Sequence, residues 1–219
     1  EVFRSQLQTG AVFRASNKEL LEIPGAPIAY RVSPALRRAF DAPKVCELTW
    51  GEGKNVTADN ERFLRLVWEV SAASVGRERK WIVYSKGVTY RKWAGNLEYV
   101  CDWSAEARTF YKSNQASRLI DPSMWYQPGI TWTVISSSGV GFRYLPADTT
   151  FDTKGLALFF ADTTQQLPVL GLLNSVVARE MFSTINTTLC INTIDVKAIP
   201  LPASLPDVTA RVELLMDVA

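Results

Sequence analysis

The sequence predicts an α+β fold: a mixed, mainly antiparallel β-sheet with a buried helix and a C-terminal helix that the chain end truncates. Three observations carry this. Between Lys80 and Phe160, short aromatic and β-branched runs alternate with turn clusters. Leu167 to Phe182 then reads as an apolar helix, with Leu170, Leu173 and Val177 on one face. The composition, 47% hydrophobic and 21% charged over 219 residues, is that of a chain able to bury a core.

Each element has its own signal. Val2 to Phe13 alternates loosely and predicts a strand, and Pro24-Gly25 marks a turn. Ser33-Pro34 is an N-cap followed by proline at the first helical position, which predicts a short helix over Pro34 to Phe40. Gly51 to Asn55 reads as a flexible loop, and Thr57 to Asn60 as a turn that caps a helical turn at Glu61 to Phe63. Leu64 to Val70 satisfies both periodicities and is assigned to a strand. Five further strands follow: Trp81 to Tyr84, Glu98 to Cys101, Ile130 to Ile135, Phe142 to Tyr144 and Leu156 to Phe160. Pro200, Pro202 and Pro206 stop the helical region before a last helix over Asp207 to Val218.

Composition excludes several functions. The chain has no histidine, which removes the usual general base, the histidine-containing triads and most zinc sites. Cys46, Cys101 and Cys190 lie too far apart for a metal knuckle and are expected as buried thiols in a reducing compartment. No apolar run reaches the roughly 20 residues that span a bilayer, so no membrane role is expected. The absence of an initiator methionine suggests a fragment or a processed chain. Gly51-Glu-Gly53 and Gly139-Val-Gly141 lack the strand-loop-helix setting of a nucleotide loop.

One region stands out by charge. From Arg77 to Lys92 six basic residues (Arg77, Arg79, Lys80, Lys86, Arg91, Lys92) face one acid, Glu78, with Trp81, Tyr84, Tyr90 and Trp93 between them. Lysine and arginine neutralise phosphates and release counterions, while aromatic rings pack on sugars and bases. A solvated hairpin with its aromatics in the core would give the same pattern. Arg143 and the serines at 136–138 could read base edges from a loop, or be ordinary turn chemistry. Trp125, Tyr126 and Trp132 fit base stacking and core packing equally, and Asn174 reads as a satisfied core amide.

The order of segments carries a resemblance. Ile23-Pro-Gly-Ala-Pro-Ile-Ala-Tyr30, Asp59-Asn-Glu-Arg-Phe-Leu-Arg65, Tyr84-Ser-Lys-Gly87, Tyr90-Arg-Lys-Trp93, Pro128-Gly-Ile-Thr-Trp132, Phe142-Arg-Tyr-Leu-Pro146, Phe151-Asp-Thr-Lys-Gly155 and Leu170-Gly-Leu-Leu-Asn-Ser175 follow one another at family-like spacing. From Leu21 to Pro202 the chain resembles the C-terminal target-recognition region of the adenine-specific DNA methyltransferases of BREX phage-defence systems, the PglX family. More distantly it is similar to type IIG and type I restriction-modification specificity domains. Two departures are visible: Thr57-Ala58 where the family carries Thr-Gly, and Asn186-Thr-Thr-Leu189 without the family's proline, so both loops are expected to be remodelled.

The resemblance implies a non-catalytic DNA-recognition domain in a bacterial cytoplasmic protein, over residues 57–203. Residues 1–56 would be an extension whose Ile23 to Tyr30 segment is a seam to an upstream methyltransferase domain, and 204–219 the start of a helical segment. S-adenosylmethionine belongs to that upstream domain, and no cofactor is expected in this part. The implied partners are double-stranded DNA, the chain's own methyltransferase domain and other BREX proteins. The DNA-binding candidates are Arg77, Arg79, Lys80, Lys86, Tyr90, Arg91 and Lys92, with Arg143 and Lys154 as secondary ones. The rival expectation is a protein-interaction module, which the near-neutral net charge of +2 favours. A free-standing enzyme is disfavoured by the missing histidine and donor motifs.

Overall fold

The computed structural model describes residues 23, 32–137, 139–205 and 207–219. The expected strand at Val2 to Phe13 and the Pro24-Gly25 turn lie outside the described residues; of the Ile23 to Tyr30 segment only Ile23 is described, and it is buried.

The elements, in chain order, are α1 (Pro34–Ala39), β1 (Thr49–Gly53), α2 (Asn60–Phe63), β2 (Leu64–Leu66), β3 (Trp81–Ser85), β4 (Tyr99–Asp102), α3 (Ala105–Ser113), β5 (Gly129–Trp132), β6 (Phe142–Leu145), β7 (Thr149–Phe151), β8 (Ala157–Phe160), α4 (Gln166–Leu173), α5 (Val176–Ile185), α6 (Thr193–Lys197) and α7 (Thr209–Asp217). The fold is α+β, as the sequence predicts, but with two four-stranded sheets. One has the order β1-β8-β5-β6 and is antiparallel throughout. The other, β2-β4-β3-β7, is mixed because β7 runs parallel to β3.

Alternation sorts the strand residues between layers. Ile130, Trp132, Phe142 and Leu158 on one face of the first sheet pack with Leu170, Leu173 and Phe182 of α4 and α5. Leu145, Ala157 and Phe159 on the other face meet Phe151 of the second sheet. That sheet in turn packs Leu64, Ile82, Tyr84 and Cys101 against Ala107 and Tyr111 of α3.

Local chemistry accounts for the helix ends. Ser33 Oγ accepts from Leu36 N with Pro34 at the first position, and Asp59 caps α2 through Arg62 N. Ala58 holds a left-handed backbone, φ +63°, a conformation that glycine adopts without steric cost.

Several expectations need correction. Gly51 to Asn55 is not a loop: Thr49 to Gly53 is an edge strand paired to β8, so residues 40–56 are woven into the core through Phe40, Val45 and this strand. Gly53 permits that packing, since a Cβ there would sit 2.8 Å from Ile120. The strand at Leu64 to Val70 ends at Leu66 and gives way to a 3-10 turn over Val67 to Glu69, whose Glu69 carboxylate accepts from Leu66 N at 2.7 Å. The single helix expected over Leu167 to Phe182 is two, broken at Asn174-Ser175. Ser175 caps α5 by accepting from Ala178 N, while the Asn174 amide is committed to Phe142. Helix α3 and strand β7 were not expected. Cys101 is buried as expected, whereas Cys46 is exposed and Cys190 only half-buried. No helix among the described residues is long and apolar enough to cross a membrane.

Candidate nucleic-acid interface

The basic segment from Arg77 to Lys92 is not a hairpin. β3 pairs with β4 and β7, so the segment is one strand with a turn before it and a long loop after it. Before β3, Gly76 at φ +130° and Glu78 at φ +59° reverse the chain, and Gly76 N donates to Trp81 O at 2.8 Å. This turn leaves Arg77, Arg79 and Lys80 exposed at one end of the strand. Lys86 leaves the other end, six residues on and about 20 Å away at the extended rise of a strand. The cations therefore form two groups, one at each end of β3.

The loop over 86–98 is sewn to the free edge of β6. Trp93 N donates to Phe142 O and Tyr144 N donates to Trp93 O, each at 2.8 Å. Thr133 Oγ1 donates to Thr89 O at 3.2 Å, and the buried Asn96 side chain closes the loop by donating to Thr89 O and accepting from Thr89 Oγ1. Two glycines allow the close approach. A Cβ on Gly141 would lie 2.3 Å from Arg91 O, and one on Gly87 would lie 1.8 Å from Lys154 O. Lys86 and the exposed Lys154 are thereby neighbours, a pairing that their 68-residue separation in sequence conceals. Tyr90 and Arg91 are exposed on the loop, while Lys92 reaches back to donate from Nζ to Asn174 O at 2.9 Å. Partial burial, and then the nearby Arg179, lower the Lys92 pKa.

Aromatic rings hold several of these charges without neutralising them. Lys86 Nζ lies 4.5 Å from the centre of the Tyr99 ring, Lys80 Nζ 5.2 Å from Trp81, and the Arg77 guanidinium 4.7 Å from Tyr126. Carboxylates partner only some: Arg77 with Asp148 at 3.2 Å, Arg91 with Glu98 at 3.7 Å and Lys80 with Asp102 at 4.0 Å. Among the described residues Arg79, Lys86, Lys92 and Lys154 have no carboxylate within 4.0 Å.

Arg143 departs from its sequence assignment. It is wholly buried, so its guanidinium is out of reach of a duplex. It projects from β6 on the same face as Thr131, and its Nη1 donates to Arg91 O, Gly141 O and Thr133 Oγ1 at 3.3–3.4 Å. Its Nε and Nη2 find no partner. Burial, and then repulsion by Arg91, lower its pKa to about 10, which Glu98 partly offsets. The residue braces the basic loop from behind. Trp132 is likewise core, its Nε1 donating to Ile191 O at 2.8 Å, while Trp125 and Tyr126 stay half-buried.

The serine loop keeps its surface position. Ser136, Ser137 and Gly139 line an open cavity of about 430 Å³ together with Arg179 and the turn over Asn186 to Leu189. That turn is tied together by Asn186, whose Oδ1 accepts from Thr188 N and whose Nδ2 donates to Cys190 O and Asp195 Oδ2. Arg179 was missed by sequence reasoning. It is the one basic residue of α5, next to Glu180, and only the fold brings it to Lys92.

The described residues thus define an α+β domain with one basic, aromatic-backed loop pinned to a sheet edge. No family model matches the chain. It is similar to the adenine-specific methyltransferase BrxX of Escherichia coli O9:H4 (strain HS), 32% identical over 185 residues and 82% of the chain. It is also similar to the adenine-specific methyltransferase PglX of Lacticaseibacillus casei (strain Zhang), 29% identical over 181 residues and 75% of the chain. The chain is therefore homologous to part of two adenine-specific methyltransferases, and spans 15% of the length of each.

Proposed function

We propose that this chain is the DNA target-recognition domain of an adenine-specific N6 DNA methyltransferase of the BREX type. The domain grips double-stranded DNA while a methyltransferase domain elsewhere in the whole protein binds S-adenosylmethionine and modifies adenine. The observation that carries this reading is the pinned loop: the segment that bears Lys86, Tyr90, Arg91 and Lys92 is held at Trp93 by backbone bonds to β6 and at Arg91 O by the Arg143 side chain, next to Lys154, with most of its charge uncompensated. A preorganised cation loses little freedom when it meets a phosphate, whereas a mobile lysine must be ordered first. Arg77, Arg79 and Lys80 supply a second cation group at the far end of β3. The similarity to two adenine-specific methyltransferases supports the same reading, and the absence of histidine fits a domain that positions DNA rather than one that transfers protons.

The test is retention of a labelled random-sequence duplex pool at two salt concentrations, followed by sequencing of the bound DNA. Salt-sensitive retention with an enriched motif is the expected result. Retention absent at low salt would overturn it.

A second reading, a protein-docking module, draws on the exposed Leu189, which lines the cavity of about 430 Å³, and the exposed Ile135 between the lining residues Val134 and Ser136. Binding to defence-system proteins with little salt dependence would favour it, since an apolar dock releases few counterions.

A further inference from the structure

A cleft of about 610 Å³ opens beside the first cation group, between the turn before β3, the start of α3 and the Trp125-Tyr126 segment. Its walls combine three cations, Arg79, Lys80 and Arg108, against a single acid, Glu78, and the aromatic side chains of Trp125 and Tyr126. The aromatic wall is tightly fixed. Trp103 Nε1 donates to Tyr126 Oη at 3.0 Å, Trp125 Nε1 donates to Ile120 O at 3.1 Å, and the Trp103 and Trp125 rings meet edge to face with centroids 5.3 Å apart. The Arg108 guanidinium lies 5.5 Å from the Trp125 ring centre and donates to Trp103 O. Two wall residues, Glu78 and Tyr126, hold left-handed backbones at φ +59° and +62°. For a bulky side chain such as tyrosine this conformation is strained, and it persists because the Trp103 bond and the Arg77 stack hold the ring in place.

Planar walls and unbalanced positive charge within one nucleotide-sized cleft match a ligand with a flat ring and a phosphate. We propose that this cleft holds a single unstacked nucleotide of the bound DNA, its base against Trp125 and Tyr126 and its phosphate on Arg79, Lys80 and Arg108. The inference rests on the DNA-recognition reading and deepens it: the domain engages a locally opened site, not only the outside of a duplex. A fully paired duplex keeps its bases stacked, so it brings neither a base nor the phosphate attached to it into the cleft.

The experiment titrates the 219-residue chain with three probes: a fluorescein-labelled duplex with one unpaired nucleotide, the same duplex fully paired, and free deoxyadenosine monophosphate. The expected result is about tenfold tighter binding to the bulged duplex than to the paired one, the scale of one stacked base. Arg79→Ala and Arg108→Gln should each shrink that ratio to within about twofold. Circular dichroism checks folding, and because Arg79 is exposed its variant retains the test should Arg108→Gln unfold. Equal affinity for bulged and paired duplexes would overturn the nucleotide cleft and leave the DNA reading standing. Binding of the free mononucleotide as tightly as the bulged duplex would overturn the assignment to a strand-borne nucleotide. No binding to either duplex at low salt would overturn both.

Discussion

The side-chain amide of Asn174 takes the place of a neighbouring strand at Phe142. Its Nδ2 donates to Phe142 O at 2.9 Å and its Oδ1 accepts from Phe142 N at 3.0 Å, while its own backbone carbonyl accepts from Lys92 Nζ. One residue at the break between α4 and α5 thus closes the edge of β6 and anchors the basic loop beside it. Asn174→Leu should destabilise the fold by about 3 kcal/mol, because it orphans a buried N–H and removes two hydrogen bonds. The midpoint of urea unfolding measures this, and a shift near zero would refute the role.

Charge reversal tests the loop directly. Arg91→Glu with Lys92→Glu should weaken duplex binding at every sequence. It should also flatten the dependence of log K on log salt by about one unit for each phosphate that the loop ceases to neutralise. Unchanged affinity at low salt would remove both residues from the interface.

Arg143 presents the opposite case. It carries a buried charge with two unpartnered nitrogens, and only weak bonds to carbonyls and a hydroxyl offset its desolvation. Arg143→Met should raise stability by about 1 kcal/mol. It should also weaken DNA binding, since Arg91 O is then without its brace. A drop in stability on this change would show that the guanidinium bonds outweigh the buried charge.

Ala58 at φ +63° occupies a position suited to glycine. Ala58→Gly should stabilise the chain by about 1 kcal/mol, in contrast to the usual cost of glycine. Thermal unfolding would register this as a rise in Tm.

Burial, and to a lesser degree the Asp102 charge, push the Cys101 thiol up to about 12, although the Tyr111 hydroxyl works the other way. The unfolded thiol ionises near pH 9, so above that the unfolded state binds fewer protons and stability falls as pH rises towards 12. The expected decline is up to about 1.4 kcal/mol per pH unit. Cys101→Ala should show a shallower decline between pH 9 and 10, below the pH at which the hydroxyls of Tyr84 and Tyr111, raised in the fold by burial, ionise in the unfolded chain and add a decline of their own.

Legibility in the sequence followed the range of the forces involved. Ser33-Pro34 and Asp59 act within one turn of chain, so their helices could be read at once. The runs Trp81 to Tyr84 and Phe142 to Tyr144 carry side chains that pack well on pleated surfaces, and they are strands. Gly51 to Gly53 carries no such side chain; β8 made it part of a strand by pairing with it. The Asn174 break was hidden because α4 and α5 are both apolar, and only Phe142 shows why the amide is needed there.

The sequence by itself determined the fold class, the helix caps and the concentration of charge between Arg77 and Lys92. Those depend on local propensity, periodicity and composition. Only the tertiary structure decided how that charge is used. It buried Arg143 while exposing Arg79, set Lys86 beside Lys154 and Lys92 beside Arg179, and placed Tyr126 under Arg77. The reason is physical: exposure and pairing of a charge are properties of sheet pairing and layer packing, which join residues tens of positions apart and leave no pattern between near neighbours in the chain.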